Sequence, residues 1–320
     1  MSQGIAEVND INIWWEDFGD SSNPSVLLIM GANANAMQWP LELIKPLVEA
    51  GFHVVRFDNR DVGKSTWFNK EPFYSKVSKL LPKSISSKLI NFAFKAFTDE
   101  EGNFLPVPEG ANPKYVLNDM AKDAIALMDH LNIDKAHVVG ASMGGMISQV
   151  ICLDYSERVL TLTPIMSSPG IGDSELSGMT TGFIEGLKES FLFNSQGKYE
   201  DGIVSIYREL TGSRFPFNET KFREKLKPIM AHGFNPFSGH GEAVGASPNR
   251  KERLHEIKIP TLVIHGTEDA ILPLDHGQAL ANGIPNAQMM VLEGVGHEIP
   301  EKMTNEVASR LIEHFKSINL

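Results

Sequence analysis

Apolar positions along the chain follow two periods. Val26-Leu27-Leu28-Ile29-Met30 is a continuous apolar run, the pattern of a strand covered on both faces. His53-Val54-Val55-Arg56-Phe57, Ala136-His137-Val138-Val139, Val159 to Ile165, Thr261 to Ile264 and Gln288 to Leu292 read as further strands. Between them, apolar residues recur at helical spacing. One such stretch runs from about Gln38 to Ala50. Another runs from Tyr115 to Leu131, with Val116, Met120, Ala124, Leu127, Met128 and Leu131 on its stripe. The run Met146-Ile147-Ser148-Gln149-Val150-Ile151 and a final stretch from about Pro300 to Phe315 complete the helical set. At the start, Ile5 to Val8 and Ile11 to Glu16 flank Asn9-Asp10, which predicts a β-hairpin. Strand-helix alternation of this kind implies an α/β fold, a mostly parallel sheet with helices on both faces.

Two segments break the alternation, and they set the expected domain organisation. Residues 1–166 and 259–320 form a core that carries a lid-like insertion at 67–113, and 167–258 form a cap subdomain. Of the 18 phenylalanines, 14 fall in these two insertions, which suggests that both cover one cleft and line it with rings. The same rings could equally fill small cores of the insertions themselves. Within the first insertion, Ser84 to Phe97 reads as a helix with Ile85, Leu89, Phe92 and Ala96 on one face, and Pro82 suits its start. The surrounding stretch is basic: Lys70, Lys76, Lys79, Lys83, Lys88 and Lys95 are opposed only by Glu71. A basic amphipathic helix can lie on an anionic membrane. The plainer expectation is a solvated face above a packed apolar stripe.

Composition narrows the function classes. A chain of 320 residues with net charge −11 is a poor nucleic-acid binder, because phosphate neutralisation needs a positive surface. No apolar run approaches about 18 residues, so no spanning helix and no stable membrane insertion is expected. The N-terminus lacks a basic region followed by an apolar signal core, and the single Cys152 cannot form an internal disulfide. Both point to the cytoplasm. Cys152 lies in an apolar helical run, as a small core residue does. Metal and nucleotide motifs are missing: there is no His-Glu-x-x-His, no paired-cysteine motif and no phosphate-binding glycine loop. No cofactor is expected.

The chemistry centres on Gly140-Ala141-Ser142-Met143-Gly144-Gly145. A Gly-x-Ser-x-Gly between a buried strand and a helix reads as a nucleophile elbow. An activated serine needs a base, and the base needs a group to orient it. Downstream, His297 in Gly294-Val295-Gly296-His297-Glu298 is the candidate base, and Asp269 in His265-Gly266-Thr267-Glu268-Asp269 is the candidate acid. Each follows a predicted strand, the edge where sites assemble in open parallel sheets. His265, His232, His240, His255 and His276 are weaker candidates, and Glu268, Asp275 and Glu298 are near neighbours of the pair. Attack on an ester also needs N–H donors for the developing oxyanion. The backbones of Met143, after the nucleophile, and Ala32, after the Leu28 strand, are the expected donors.

With these pieces in view, the chain resembles the α/β-hydrolases over nearly its whole length. The resemblance rests on Met30-Gly31-Ala32, Arg56 to Ser65, the elbow, and the Asp269 and His297 segments. It implies an eight-stranded sheet, a helical cap after the sixth strand and a Ser-Asp-His triad. Met30 departs from the histidine many members carry there, and the first insertion is unusually long. Within the superfamily, Met30-Gly31 through Trp39-Pro40, Arg56 to Asp61, Ala136 to Gly140, and His276-Gly277 with Ile284-Pro285 are similar to aclacinomycin methylesterases and serine-dependent macrolide esterases. That likeness implies a bulky lipophilic ester or macrolactone as substrate. A polyketide methylesterase, cofactor-free perhydrolase or haloperoxidase-like chemistry, and a non-catalytic ligand sensor are the other readings.

Overall fold

The computed structural model describes residues 1–71, 79, 81–94, 99 and 112–318. Eight strands form one sheet: β1 (Gln3–Val8), β2 (Ile11–Phe18), β3 (Ser25–Ile29), β4 (His53–Phe57), β5 (Ala136–Ala141), β6 (Val159–Ile165), β7 (Leu262–Gly266) and β8 (Gln288–Leu292). Their order is β1-β2-β4-β3-β5-β6-β7-β8. β2 pairs antiparallel with both β1 and β4, and every pairing from β4 to β8 is parallel. Asn9 and Asp10 both take positive φ, 49° and 61°, as a two-residue hairpin turn requires.

The continuous apolar runs are buried strands. Every residue of β3, β4 and β7 is buried. Period-two alternation then sends neighbours to opposite faces. Leu27, Ile29, Val55, Phe57 and Val138 pack with α3 (Leu117–His130) and α4 (Met143–Asp154). Val26, Leu28, Val54 and Val139 pack on the other face with α1 (Leu41–Glu49) and the last helix, Thr304–Lys316. The two faces account for strands with no polar side.

Helix ends differ from the periodic reading where proline intervenes. The stretch expected from Gln38 splits into a 3₁₀ turn at Ala36–Gln38 and α1. Trp39 between them is extended (ψ 109°), because the ring of Pro40 disfavours helical geometry in the residue before it. The last helix starts at Thr304, after a 3₁₀ turn at Glu301–Met303.

The first insertion contributes α2 (Lys83–Phe94), and the segment between β6 and β7 contributes α5 (Thr181–Ser195), α6 (Tyr199–Leu210), α7 (Glu219–His232) and α8 (His240–Ala246). A short α9 (Leu274–Gly283) follows β7, which makes the last helix α10. α2 packs against α5, and Lys79 lies over the Tyr199 ring at 5.7 Å, so the two insertions touch. Several of their aromatics pack within the insertion between β6 and β7. Phe183 is buried with Met179 and Leu210, and Phe222 lies 4.4 Å from Tyr207 and 5.5 Å from Phe217, ring centre to ring centre.

The expected packed stripe on α2 is not found. Ile85, Leu89 and Phe92 share a face as their spacing dictates, but they are 46%, 55% and 77% exposed. Among the described side chains of this helix, Ser86 is buried, and it lies off that stripe. Ala96 lies outside the described residues.

Candidate active site

Ser142 sits between the end of β5 and the start of α4 with φ 53° and ψ −119°. Positive φ is uncommon for a serine and is held by its surroundings. Ser142 N–H donates to Ile165 O at 2.8 Å, and Ser167 Oγ donates to Ser142 O at 2.8 Å. The turn is too tight for side chains on either side of it. A Cβ on Gly140 would lie 2.2 Å from Gly144 O, and one on Gly144 would lie 2.1 Å from Ile29 O. The glycines of the motif are therefore a steric requirement of strand meeting helix.

Gly31, just beyond β3, runs beside the nucleophile candidate. A Cβ built on it would stand 3.0 Å from Ser142 Cβ and 3.7 Å from Oγ. Met143 opens α4, so its N–H has no acceptor within the helix and carries the positive end of the helix dipole. Ala32 follows Gly31 on an exposed turn. The two donors expected from the sequence thus belong to segments that meet at Ser142.

The loop carrying Ala32 is anchored from two directions. Asn59 Nδ2 donates to Met30 O at 2.9 Å, and Ala36 N–H donates to Asp58 Oδ1 at 2.8 Å. The other anchors come from the inserted helices. Asn33 N–H donates to His240 Nδ1 at 2.9 Å, and Asn35 Nδ2 donates to Ile229 O and Gly233 O, both at 2.9 Å. His232 Nε2 contacts Asp58 Oδ2 at 2.7 Å. These two histidines stood among the weaker candidates in the sequence. Nothing in local spacing marks them, since each partner lies more than 170 residues away.

The tautomer of His240 follows from its partners. Nδ1 accepts from Asn33, so Nε2 carries the proton and donates to Arg60 O at 2.7 Å. Burial pushes its pKa down from 6.5 to about 4, against raising contributions from the Arg60 carbonyl and Asp61. The ring is neutral above that value. Between pH 6.5 and about 4 the unfolded chain takes up a proton that the folded one refuses, so acid erodes stability across this window. His240→Ala is expected to lower kcat about tenfold to a hundredfold, below the ~10²–10³ of deleting an oxyanion donor outright. Steady-state kinetics checks this, and an unchanged kcat would show that the loop holds its place without the imidazole.

Asp269 and His297 meet beyond the ends of β7 and β8. His297 Nδ1 lies 2.6 Å from Asp269 Oδ2. The carboxylate is 3% exposed, and its other oxygen accepts from Ile271 N–H at 3.0 Å and Leu272 N–H at 2.9 Å. Burial alone would raise its pKa. The nearby His297 and hydrogen bonds from His265 and His297 outweigh that, and hold Asp269 well below the ordinary carboxylate range. An ionised partner at Nδ1 keeps the proton there and leaves Nε2 as the basic nitrogen. His265 is fully buried and directs Nε2 to Leu272 O at 2.7 Å, so it serves the Asp269 turn. His276 bonds Ser168 Oγ at 2.8 Å and Ser177 O at 2.9 Å, and His255 Nδ1 bonds Glu252 O in its own turn.

The histidine loop is also held by the inserted segment. His297 N–H donates to Leu210 O at 2.8 Å, and Arg214 N–H donates to Gly294 O at 2.9 Å. Ser213 donates through N–H and Oγ to Glu268, each at 2.6 Å, and Thr211 Oγ1 donates to Glu298 at 3.1 Å. Glu268 and Glu298 are thereby engaged outside the Asp269–His297 contact. Asp275 accepts from Ser177 N–H at 2.7 Å.

Ser142, Asp269, His297 and Ala32 all lie past the carboxyl ends of parallel strands. Among the described residues, no hydrogen bond joins Ser142 to His297. Such contacts in unliganded enzymes are often long and tighten when substrate binds. No group of three or more His, Cys, Asp or Glu side chains is arranged to hold a metal among the described residues, nor is any described helix long and apolar enough to cross a membrane. Cys152 is buried, and burial pushes its thiol pKa up, which suppresses the thiolate.

The family model for the alpha/beta hydrolase fold matches residues 24–302. The chain belongs to that family. Rhodomycin D methylesterase DnrP of Streptomyces peucetius is 26% identical to this α/β hydrolase over 97% of the chain and 96% of its own length. The 2-hydroxy-6-oxononadienedioate/2-hydroxy-6-oxononatrienedioate hydrolase 1 of Pseudomonas putida is 28% identical over 90% of the chain and 86% of its own. A bromoperoxidase from Bacillus anthracis shares the fold with a TM-score of 0.69 at 22% identity, covering 98% of this chain and 100% of that one. The protein is an enzyme of the carboxylic ester hydrolase type, and its similarity to methylesterases runs the length of the chain.

Proposed function

We propose that this α/β hydrolase is a serine esterase working through Ser142, His297 and Asp269 and an acyl-enzyme. The observation that carries the reading is the 2.6 Å Asp269–His297 contact on the same sheet edge as the strained Ser142 elbow. Ser142 Oγ attacks the ester carbonyl carbon while His297 Nε2 takes its proton. The carbonyl oxygen becomes an oxyanion held by the N–H groups of Met143 and Ala32. Collapse breaks the carbon–oxygen bond, and His297 returns the proton to the departing alcohol. Water, deprotonated by His297, then attacks the acyl-Ser142 ester and releases the acid and free serine. Asp269 keeps His297 oriented and stabilises its charged form. No cofactor enters the scheme.

The substrate in this reading is a bulky lipophilic ester or macrolactone, with residues 167–258 as the cap that decides access. A macrolactone product would be ring-opened, the outcome that inactivates a macrolide antibiotic. A second reading, a polyketide methyl ester, is favoured by the likeness to a rhodomycin D methylesterase along 96% of that relative. The buried lone thiol suits a cytoplasmic site of action.

The test is mass spectrometry of products from a panel of macrolides and polycyclic methyl esters. A lactone substrate gains one water without fragmenting, whereas a methyl ester splits into acid and methanol. Turnover of neither class, with small acetates still cleaved, would reject both substrate readings and leave the esterase one.

A further inference from the structure

We propose that α2 is an interfacial helix that seats the protein on an anionic phospholipid surface. The proposal stands on the placement of this helix and does not depend on which ester is cleaved. At about 100° per residue, Ile85, Leu89 and Phe92 fall within an arc of roughly 60°. All three project into solvent, Phe92 the most at 77%. A single exposed apolar side chain needs no explanation, but an aligned exposed row on one helix does. The helix is held by its other side, packing against α5.

Charge selects the occupant. α2 has two lysines and no acidic residue, in a chain of net charge −11. Lys88 is exposed and borders the apolar row one turn before Phe92. Lys83 is exposed at the first position of the helix, where a cation opposes the helix dipole, so helix stability does not account for it. The carboxylates of α5 are already engaged: Glu185 by Lys188 at 2.7 Å and Glu189 by Arg208 at 3.8 Å. A lysine-edged apolar row matches lipid headgroups above acyl chains. A second copy docking by the same face would set Lys88 against its own symmetry mate, which like-charge repulsion opposes. A lipid-seated helix would also bring lipophilic esters dissolved in the bilayer to the side of the molecule where the insertions meet.

The experiment is co-sedimentation of the full chain with phosphatidylglycerol vesicles and with phosphatidylcholine vesicles at low and high salt. Wild type should partition onto the anionic vesicles, weakly onto the neutral ones, and less at high salt. The Ile85→Ser/Leu89→Ser/Phe92→Ser variant should lose at least about tenfold in partitioning. Lys83→Gln and Lys88→Gln should each cost about fivefold, on anionic vesicles only. Circular dichroism and thermal melting establish that the variants are folded, and the single lysine variants keep the test decisive if the triple variant is not. Absence of wild-type binding overturns the proposal. So does binding that survives the α2 substitutions, or a dimer abolished by them in a protein that ignores vesicles.

Discussion

Ser142→Ala is expected to lower kcat for ester hydrolysis by a factor on the order of 10⁶ with the fold intact. The size follows from the role: without Oγ there is no acyl-enzyme, and the remaining donors act only on uncatalysed attack by water. The fold should be spared for a local reason. The contacts that hold the elbow use the backbone of Ser142, its N–H donating to Ile165 O and its carbonyl accepting from Ser167 Oγ, and alanine keeps both. Alanine is also no larger than serine and fits beside Gly31 as serine does, where a Cβ built on Gly31 would stand 3.0 Å from Ser142 Cβ. Thermal melting within a few degrees of wild type, loss of fluorophosphonate labelling and loss of turnover are the three readouts. Turnover within about a hundredfold of wild type would remove Ser142 from the mechanism. Lost labelling with retained turnover would put the chemistry elsewhere in the molecule.

What could be read from the chain, and what could not, divides along physical lines. The buried strands were legible because a strand covered on both faces is mostly apolar, and β3, β4 and β7 are so apart from Ser25, His53, Arg56 and His265. Ser142, Asp269 and His297 were legible as candidates because each needs a strand end before it, and strand ends show in the pattern. The helices between β6 and β7 were not: α7 buries only Leu226 and Ile229, too few to impose a period on its neighbours. The anchors on the Ala32 loop were illegible for a different reason. His240 meets Asn33 across 207 positions, and such contacts follow from how the inserted segment folds back, which no local spacing encodes. The direction of the α2 stripe was misjudged because spacing fixes which residues share a face but not what that face meets.

Asp269→Asn is expected to lower kcat by about 10⁴, with a smaller effect on KM. The effect runs through the imidazole. Asp269 Oδ2 accepts at 2.6 Å from Nδ1, which fixes the proton there and leaves Nε2 basic. An asparagine that turns its amide toward the ring donates instead, the proton moves to Nε2, and the base no longer faces Ser142. It also supplies no negative charge to stabilise the imidazolium formed during attack. His265 does not take over, since it is buried against Leu272 O. The pH behaviour separates this from a general loss of structure. The folded-state pKa of Asp269 lies below the ordinary value, so its ionised form stabilises the fold at every pH above about 3.9. That contribution is lost only as pH falls through the depressed value. The asparagine variant should therefore be less stable than wild type at neutral pH, with the difference shrinking in strong acid. Its residual turnover should rise at high pH, where hydroxide replaces the missing base. A variant within tenfold of wild-type kcat would assign the orienting role to another carboxylate, with Glu268 and Glu298 the neighbours to replace next.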